Sequence, residues 1–117
     1  MTPLQLRTNR PLAFAQLRRL IADGDFAGIS VELVLGPFDA LRQACYFLPW
    51  AVVRADEAAG TSLQDGYITL RAAWKGLDDA AIEAARFQAD EADVTAALNA
   101  FESALDAFEA RIPASLA

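Results

Sequence analysis

The most regular feature of the sequence is a series of large apolar residues near its C-terminal end, spaced three or four positions apart. The series comprises Val94, Leu98, Phe101, Leu105, Phe108 and Ile112. This spacing places every member on one side of an α-helix and is typical of the seam between packed helices. Proline cannot continue the hydrogen-bond pattern of a helix, so we expect this final helix to end before Pro113.

A glycine separates two helices predicted in the N-terminal third of the chain. The first is predicted over residues 10–22, with Pro11 near its first turn. Gly24 suits the left-handed position that follows many helices, and Asp25 suits the cap of the next helix. The apolar residues expected on their inner faces are Leu12, Leu17, Leu20, Ile21, Phe26, Ile29, Val31, Leu33, Val34 and Leu35.

The dipeptide Gly36-Pro37 interrupts the second helix. Proline lacks a backbone N–H and clashes with the preceding turn, so the helix either kinks or splits at this point. The apolar face resumes after it with Phe38, Leu41, Ala44, Cys45 and Leu48. Pro49 then marks the end of the helix or a second kink.

The third helix is predicted to follow an irregular stretch, residues 50–62. Within that stretch 54–59 can form a short helix, and the small residues 60–62 indicate a break with Thr61 or Ser62 as a helix cap. The apolar stripe of the third helix is Leu63, Tyr67, Leu70, Trp74 and Leu77. The turn into the final helix is expected within residues 87–91.

These segments predict an all-α fold, an up-down-up-down four-helix bundle with helix two kinked or split at Gly36-Pro37. The bundle is expected to span residues 10–113. A flexible basic segment, residues 1–9, is expected to precede it, and a short tail, residues 114–117, to follow it. A chain of 117 residues is long enough to bury a modest core as one domain.

The formal net charge of −6 is unevenly distributed along the chain. Residues 1–19 contain four arginines and no acid, whereas residues 55–117 contain twelve acids and four basic residues. Such polarity favours an oriented electrostatic encounter with a partner. It argues against nucleic acid, which requires a broad positive surface. The alternative is that the acids simply form solvated helix faces.

Residues suited to catalysis or metal binding are scarce. The chain has no histidine, so it lacks an imidazole for metal ligation, a catalytic triad or proton transfer near neutral pH. The single cysteine, Cys45, is interpreted as a small core residue. The acidic cluster Asp90, Glu91 and Asp93 lacks EF-hand spacing and is interpreted as a solvated helix start. We therefore expect no catalytic activity, no cofactor and no metal site.

The remaining candidates for function are side chains that commonly anchor protein interfaces. Tryptophan and arginine dominate interface hot spots, so Trp50 is favoured, while Trp74 on the apolar stripe is assigned to the core. Asp39 and Arg42 lie three positions apart on one helix and face either a partner or each other. The candidate partner-binding residues are Arg7, Arg10, Arg18, Arg19, Asp39, Arg42 and Trp50.

Several short motifs follow one another in a characteristic order. A leucine-rich helix restarts at Asp25-Phe26, and Gly36-Pro37-Phe38 with Leu41-Arg42 comes next. Further along are Leu48-Pro49, Leu77-Asp78-Asp79-Ala80-Ala81, and a closing stretch from Phe101 through Phe108 to Ile112-Pro113. In order and spacing this series resembles the PsbQ family, the extrinsic luminal proteins of photosystem II, over residues 12–113.

The resemblance implies a non-catalytic subunit on the luminal side of photosystem II. Such a subunit contacts luminal loops of the core antenna proteins and other extrinsic subunits, and it stabilises the oxygen-evolving complex and its retention of calcium and chloride. The resemblance also implies a location in the thylakoid lumen, peripheral to the membrane and not spanning it. Residues 1–9 lack the apolar core of a targeting signal, so we expect the targeting sequence to be absent from this chain.

Two other functions are compatible with the sequence. One is a helical-bundle accessory subunit or assembly chaperone of an unrelated complex. A precursor without a thylakoid-targeting extension would favour this function. The other is a small ligand-binding bundle or enzyme, which a bound molecule in an apolar cavity near Trp50, Tyr67 and Trp74 favours.

Overall fold

The computed structural model describes the backbone of residues 3–87 and 91–114, and side chains from residue 10 onward within those ranges. The helices are α1 (Pro3–Ala22), α2 (Phe26–Leu35), α3 (Pro37–Val53), α4 (Glu57–Phe87) and α5 (Glu91–Ala110). No strand occurs in the described ranges, and the helices pack on one another, so the prediction of an all-α fold is confirmed.

The junction between α1 and α2 forms where the sequence predicts it. Gly24 adopts a positive φ of 71°. Its N–H donates to the carbonyl of Ile21 at 3.0 Å, and the N–H of Asp25 donates to that of Leu20 at 2.9 Å. These two bonds close the helix end as a Schellman motif. The Asp25 carboxylate then accepts the N–H of Gly28 at 3.0 Å and starts α2.

Of the two arrangements predicted for Gly36-Pro37, the structure contains the split. Gly36 is extended (φ −89°, ψ −165°), and Pro37 is the first residue of α3. A residue before proline is biased away from helical geometry, which explains the break. The Gly36 N–H still donates to the Glu32 carbonyl at 2.9 Å. A Cβ on Gly36 would lie 2.6 Å from that oxygen, so only glycine fits without a shift.

Helix α1 begins at Pro3, earlier than the predicted start at residue 10. Pro11 therefore lies inside the helix, although it cannot donate to the carbonyl four residues before it. Proline favours the first turn of a helix without being confined to it, so the position of Pro11 does not fix where the helix begins. The flexibility expected of residues 1–9 stays a prediction.

The predicted break at residues 60–62 is wrong, because α4 is continuous from Glu57 to Phe87. The cap is Asp56, whose carboxylate accepts the N–H of Ala59 at 3.0 Å. Thr61 and Ser62, the two predicted caps, both lie inside the helix, and the Ser62 carbonyl accepts a hydrogen bond from Arg111 at 2.8 Å.

Gly60 is buried where α4 approaches α3 closely. An ideal Cβ at this position would lie 2.6 Å from both Cα and Cβ of Val53, so any larger residue would push the two helices apart. Pro49 is buried inside α3, which continues to Val53, so the predicted end of the helix at this residue is wrong, and the predicted alternative of a kink stays a prediction. Both residues are local helix breakers that the packing of α3 on α4 accommodates.

Helix α4 packs against α2, α3 and α5, and α1 packs against the same three helices. The core lies between α1 and α4. The 31 residues of α4 extend about 46 Å at the usual helical rise and match the 48 Å length of the molecule. Phe14, Phe38 and Phe101 bring α1, α3 and α5 together, with ring centroids 5.3–5.7 Å apart. The predicted apolar seam of the final helix is buried along its whole length.

The contact between Gly60 and Val53 leads to a test with a matched control. We expect Gly60→Ala to destabilise the protein by about 1–3 kcal/mol, because the added methyl overlaps the α3 backbone. Gly76→Ala places the same methyl in open space on the same helix, and we expect it to stabilise by about 0.4–1 kcal/mol. Urea unfolding of both variants measures the difference. Equal effects would contradict the close approach of α3 and α4.

Candidate protein-interaction surface

Arg10 is held by acidic residues of α5. Its guanidinium pairs with Asp106 and with Glu109, the latter at 3.0 Å between Nη1 and Oε2. It also donates to the carbonyl of Glu102 at 3.3 Å. Only 14% of the Arg10 side chain is exposed. The guanidinium of this predicted partner-binding residue is therefore engaged within the protein itself.

The other N-terminal arginines do not form one free basic cluster. Arg18 pairs with Glu102 at 2.9 Å and lies 3.4 Å from the side-chain oxygen of Asn99. Arg19 is exposed and forms no ion pair with the described residues. The side chain of Arg7 lies outside the part of the chain that is described. A role of these arginines in partner binding stays a prediction.

Asp39 and Arg42 contact each other, which is one of the two predicted arrangements. Arg42 Nη2 lies 3.0 Å from Asp39 Oδ1, and Gln43 donates to the second carboxylate oxygen at 3.1 Å. The Arg42 guanidinium lies 5.4 Å from the ring centre of Trp74, within cation–π distance. Trp74 is partly buried against the core, in agreement with its assignment. This cluster fixes α3 on α4.

Trp50 is exposed beside other large apolar side chains. We call Tyr46, Phe47 and Trp50 of α3 together with Ile68 of α4 the aromatic face; 44%, 61%, 55% and 67% of these residues are exposed. The Tyr46 ring lies 5.0 Å from that of Phe47 and 5.5 Å from that of Tyr67. The predicted interface anchor therefore belongs to a larger surface that single-residue reasoning missed.

The aromatic face continues into a longer uncharged surface along α2 and α3. We define the α2–α3 outer surface as the exposed residues Ala27, Val31, Val34, Leu35, Pro37, Ala40, Gln43, Tyr46, Phe47, Trp50 and Ala51. Within the stretch 27–51, which is fully described, every charged residue is partly buried and none is exposed. The exposed residues of α4 and α5 include many charges, among them Asp65, Arg71, Lys75, Asp79, Glu83, Glu91, Asp93 and Asp106.

Several residues predicted to face the core belong to this exposed surface. Val31 and Val34 are half exposed and Leu35 is 81% exposed, while Leu12 of α1 is 79% exposed. The core side of α2 consists of Ile29 and Leu33. For α2 the prediction was wrong because apolar residues occur on most sides of this helix, in which Glu32 is the single charged residue, so its periodicity does not show which side is buried. A helix that is apolar all round is usually covered on every side.

Cys45 is completely buried, as predicted for a small core residue. Burial in the apolar interior, with a smaller contribution from the negative charge of Glu109, raises the pKa of its thiol from 9.0 to about 12. The thiolate is the nucleophilic form, so at neutral pH this side chain is unreactive in the folded protein.

The described residues contain no group of three or more His, Cys, Asp and Glu side chains arranged to hold a metal ion. Of the predicted acidic cluster, Asp90 lies outside the described residues, and Glu91 and Asp93 are exposed in the first turn of α5. Among the described helices, none has the combination of length and apolar character that is needed to cross a bilayer.

Comparison with protein-family models, with curated proteins and with solved structures finds no match to this chain.

The environment of Arg10 predicts a role in stability that Arg19 does not share. We expect Arg10→Ala to lower the free energy of unfolding by about 1–3 kcal/mol, because Glu109 is left largely buried without its cation. Arg19→Ala removes the same charge from an exposed position and should change stability by less than about 0.5 kcal/mol. Urea unfolding at low salt distinguishes the two, and equal losses would contradict the assignment.

The raised pKa of Cys45 predicts a loss of stability in alkaline solution. Between pH 9 and pH 12 the unfolded thiol loses its proton while the folded thiol keeps it, so unfolding becomes more favourable as pH rises. The slope from this group is about 1.4 kcal/mol per pH unit. Cys45→Ala should lack that part of the slope when urea unfolding is measured across this range. Identical slopes for the two proteins would contradict the burial effect.

Proposed function

We propose that this protein is a non-catalytic binding subunit whose α2–α3 outer surface is covered by protein in a larger assembly. The single observation that carries the proposal is that the three charged residues of the fully described stretch 27–51, Glu32, Asp39 and Arg42, are all partly buried. Charged side chains are depleted at the centres of protein interfaces, while aromatic residues are enriched there. The surface has both properties.

The size of the α2–α3 outer surface supports the same proposal. Val31, Val34, Leu35, Phe47 and Trp50 are all more than half exposed. Together with Tyr46 they present on the order of 600 Å² of apolar area to water, at the upper end of what a typical monomer exposes in one patch. Such an area is costly to hydrate, so covering it stabilises the assembly.

We further propose that the helices form an up-down-up-down four-helix bundle, in which α2 and α3 together take the place of the second helix. Arg10 pairs with Glu109 and Arg18 pairs with Glu102, which supports an antiparallel arrangement of α1 and α5. The bond from Arg111 to Ser62 supports a position for the end of α5 next to the start of α4. In such a bundle the split helix formed by α2 and α3 has one side that faces away from the core.

A narrower proposal identifies the assembly as photosystem II. In this form the protein is an extrinsic subunit in the thylakoid lumen that stabilises the oxygen-evolving complex and its calcium and chloride retention. Its partners are luminal loops of the core antenna proteins and other extrinsic subunits. The proposal is supported by the ordered motifs that resemble the PsbQ family, including the helix restart at Asp25 and the element at Gly36-Pro37.

The alternative is an accessory subunit or assembly chaperone of an unrelated complex. The uncharged character of the α2–α3 outer surface favours this alternative, because apolar docking does not require the electrostatic steering expected from the basic N-terminal residues. Salt dependence separates two modes of binding: contacts between exposed charges weaken as ionic strength rises, whereas apolar contacts do not.

Binding to photosystem II membranes stripped of their extrinsic proteins tests the proposal. We expect saturable binding and an oxygen evolution that depends less on added calcium and chloride. Val34→Glu places a charge on the α2–α3 outer surface and should weaken binding at least about tenfold. Phe87→Glu, the matched control, makes a similar change at an exposed residue outside that surface.

The salt dependence of the same assay tests the arginines. If Arg19 steers the encounter, Arg19→Glu should weaken binding at low salt more than Arg86→Glu does, and the difference should shrink at high salt. Absence of binding by the unmodified protein at low salt would reject photosystem II as the partner and leave the α2–α3 outer surface to another complex.

A further inference from the structure

We propose that two copies of this chain associate through the aromatic face, with α3 packed against α3 across a two-fold axis. The inference rests on the proposed function in one respect, since it takes part of the α2–α3 outer surface to be an interface. It adds the identity of the partner for that part. The aliphatic residues of α2 remain free for a different protein.

The shape of the aromatic face suits contact with its own copy. Phe47 and Trp50 form a ridge along α3, and a groove runs on each side of it. One groove, of about 290 Å³, is lined by Tyr46, Pro49, Trp50, Gln64, Tyr67 and Ile68. The other, of about 390 Å³, is lined by Ala40, Gln43, Ala44, Phe47, Leu48 and Ala51.

A two-fold axis places the ridge of each copy into a groove of the other. Alanines at three of the lining positions let the α3 backbones approach closely, as ridge-into-groove packing of helices requires. A two-fold interface uses the same patch on both copies, so a surface with both ridge and groove is complementary to itself.

The charge distribution also favours a second copy. Each chain carries a net charge of −6, which opposes self-association unless the contact avoids the charged regions. No exposed residue between Ala40 and Ala51, a fully described part of α3, is charged. Arg42 is partly buried in its pair with Asp39, so neither residue opposes its own copy as a free charge.

The area of the aromatic face matches a weak, specific dimer. Tyr46, Phe47, Trp50 and Ile68 expose roughly 400–500 Å² in total, given their exposed fractions and the size of such side chains. With the neighbouring alanines and Gln43 a pair of copies buries about 1,100 Å², just above the area of about 1,000 Å² that a biological interface should clear. We therefore expect a dimer that dissociates on dilution.

Sedimentation of the purified protein across about three decades of concentration, up to several hundred micromolar, tests the proposal. We expect the average mass to rise from that of one chain to that of two. In the variant Trp74→Phe, Trp50 is the remaining tryptophan, and its emission should shift to shorter wavelength over the same range as water is excluded. A monomer at every concentration would overturn the proposal.

Substitutions at the ridge locate the contact. Phe47→Glu and Phe47→Lys should each remain monomeric, because like charges meet across the axis, whereas Phe87→Glu should dimerise like the unmodified protein. An equimolar mixture of the two Phe47 variants should recover dimers. Phe47 is 61% exposed, so circular dichroism should show unchanged folding. Dimers that survive both single changes, or a mixture that stays monomeric, would overturn the two-fold contact at this ridge.

Failure of the proposed dimer and failure of the proposed function give different experimental results. A chain that is monomeric alone, but loses binding to a larger complex on Val34→Glu, overturns the dimer and retains the binding subunit. A dimer that binds no photosystem II membranes retains the two-fold contact and rejects that assembly. Binding of lipid vesicles through Phe47 by a monomeric chain would assign the aromatic face to a membrane surface and overturn the dimer.

Discussion

The close approach of α3 and α4 at Gly60 is the constraint on which the candidate surface depends. With no side chain on Gly60, Val53 reaches the α4 backbone, and this contact fixes how the two helices align. Along the same pair of helices, Tyr46 then meets Tyr67 and Arg42 lies over Trp74. Phe47 and Trp50 of α3 have no place in the core and are exposed to solvent. A tight contact between two helices and an exposed apolar surface therefore have one cause.

The charged residues of α1 illustrate how an intramolecular role and an intermolecular role compete for the same side chain. Arg10 and Arg18 pair with three acids of α5, Glu102, Asp106 and Glu109, so part of the polarity along the sequence is cancelled in the fold. Long-range attraction of a partner then depends on fewer free cations than the sequence suggests. The apolar surface along α2 and α3 consequently becomes the stronger candidate for recognition.

Features determined by local chemistry were predictable from the sequence, and features determined by tertiary contacts were not. Gly24 and Asp25 act through their own backbone and side-chain bonds, and the seam of α5 has one clear apolar side, so both predictions are confirmed. Gly60 resembles a helix break in sequence and serves as a packing site in the structure. Periodicity also failed for Val34, because α2 is apolar on most sides and only its neighbours decide which side is buried. Among the candidate site residues, the exposure of Trp50 agrees with an interface role, while the internal pairing of Arg10 required knowledge of where α5 lies.

The unequal distribution of charge gives the molecule two chemically distinct sides. Most of the exposed charge is on α4 and α5, whereas the exposed residues of α2 and α3 are uncharged. The folded chain therefore behaves as an amphiphile on the scale of a whole protein. At an air–water or oil–water boundary it would orient with α2 and α3 toward the apolar phase, and in bulk water mutual repulsion of the acidic sides would oppose the growth of assemblies beyond a pair of copies. The same asymmetry of charge that leaves an apolar surface exposed therefore limits how many molecules can associate through that surface.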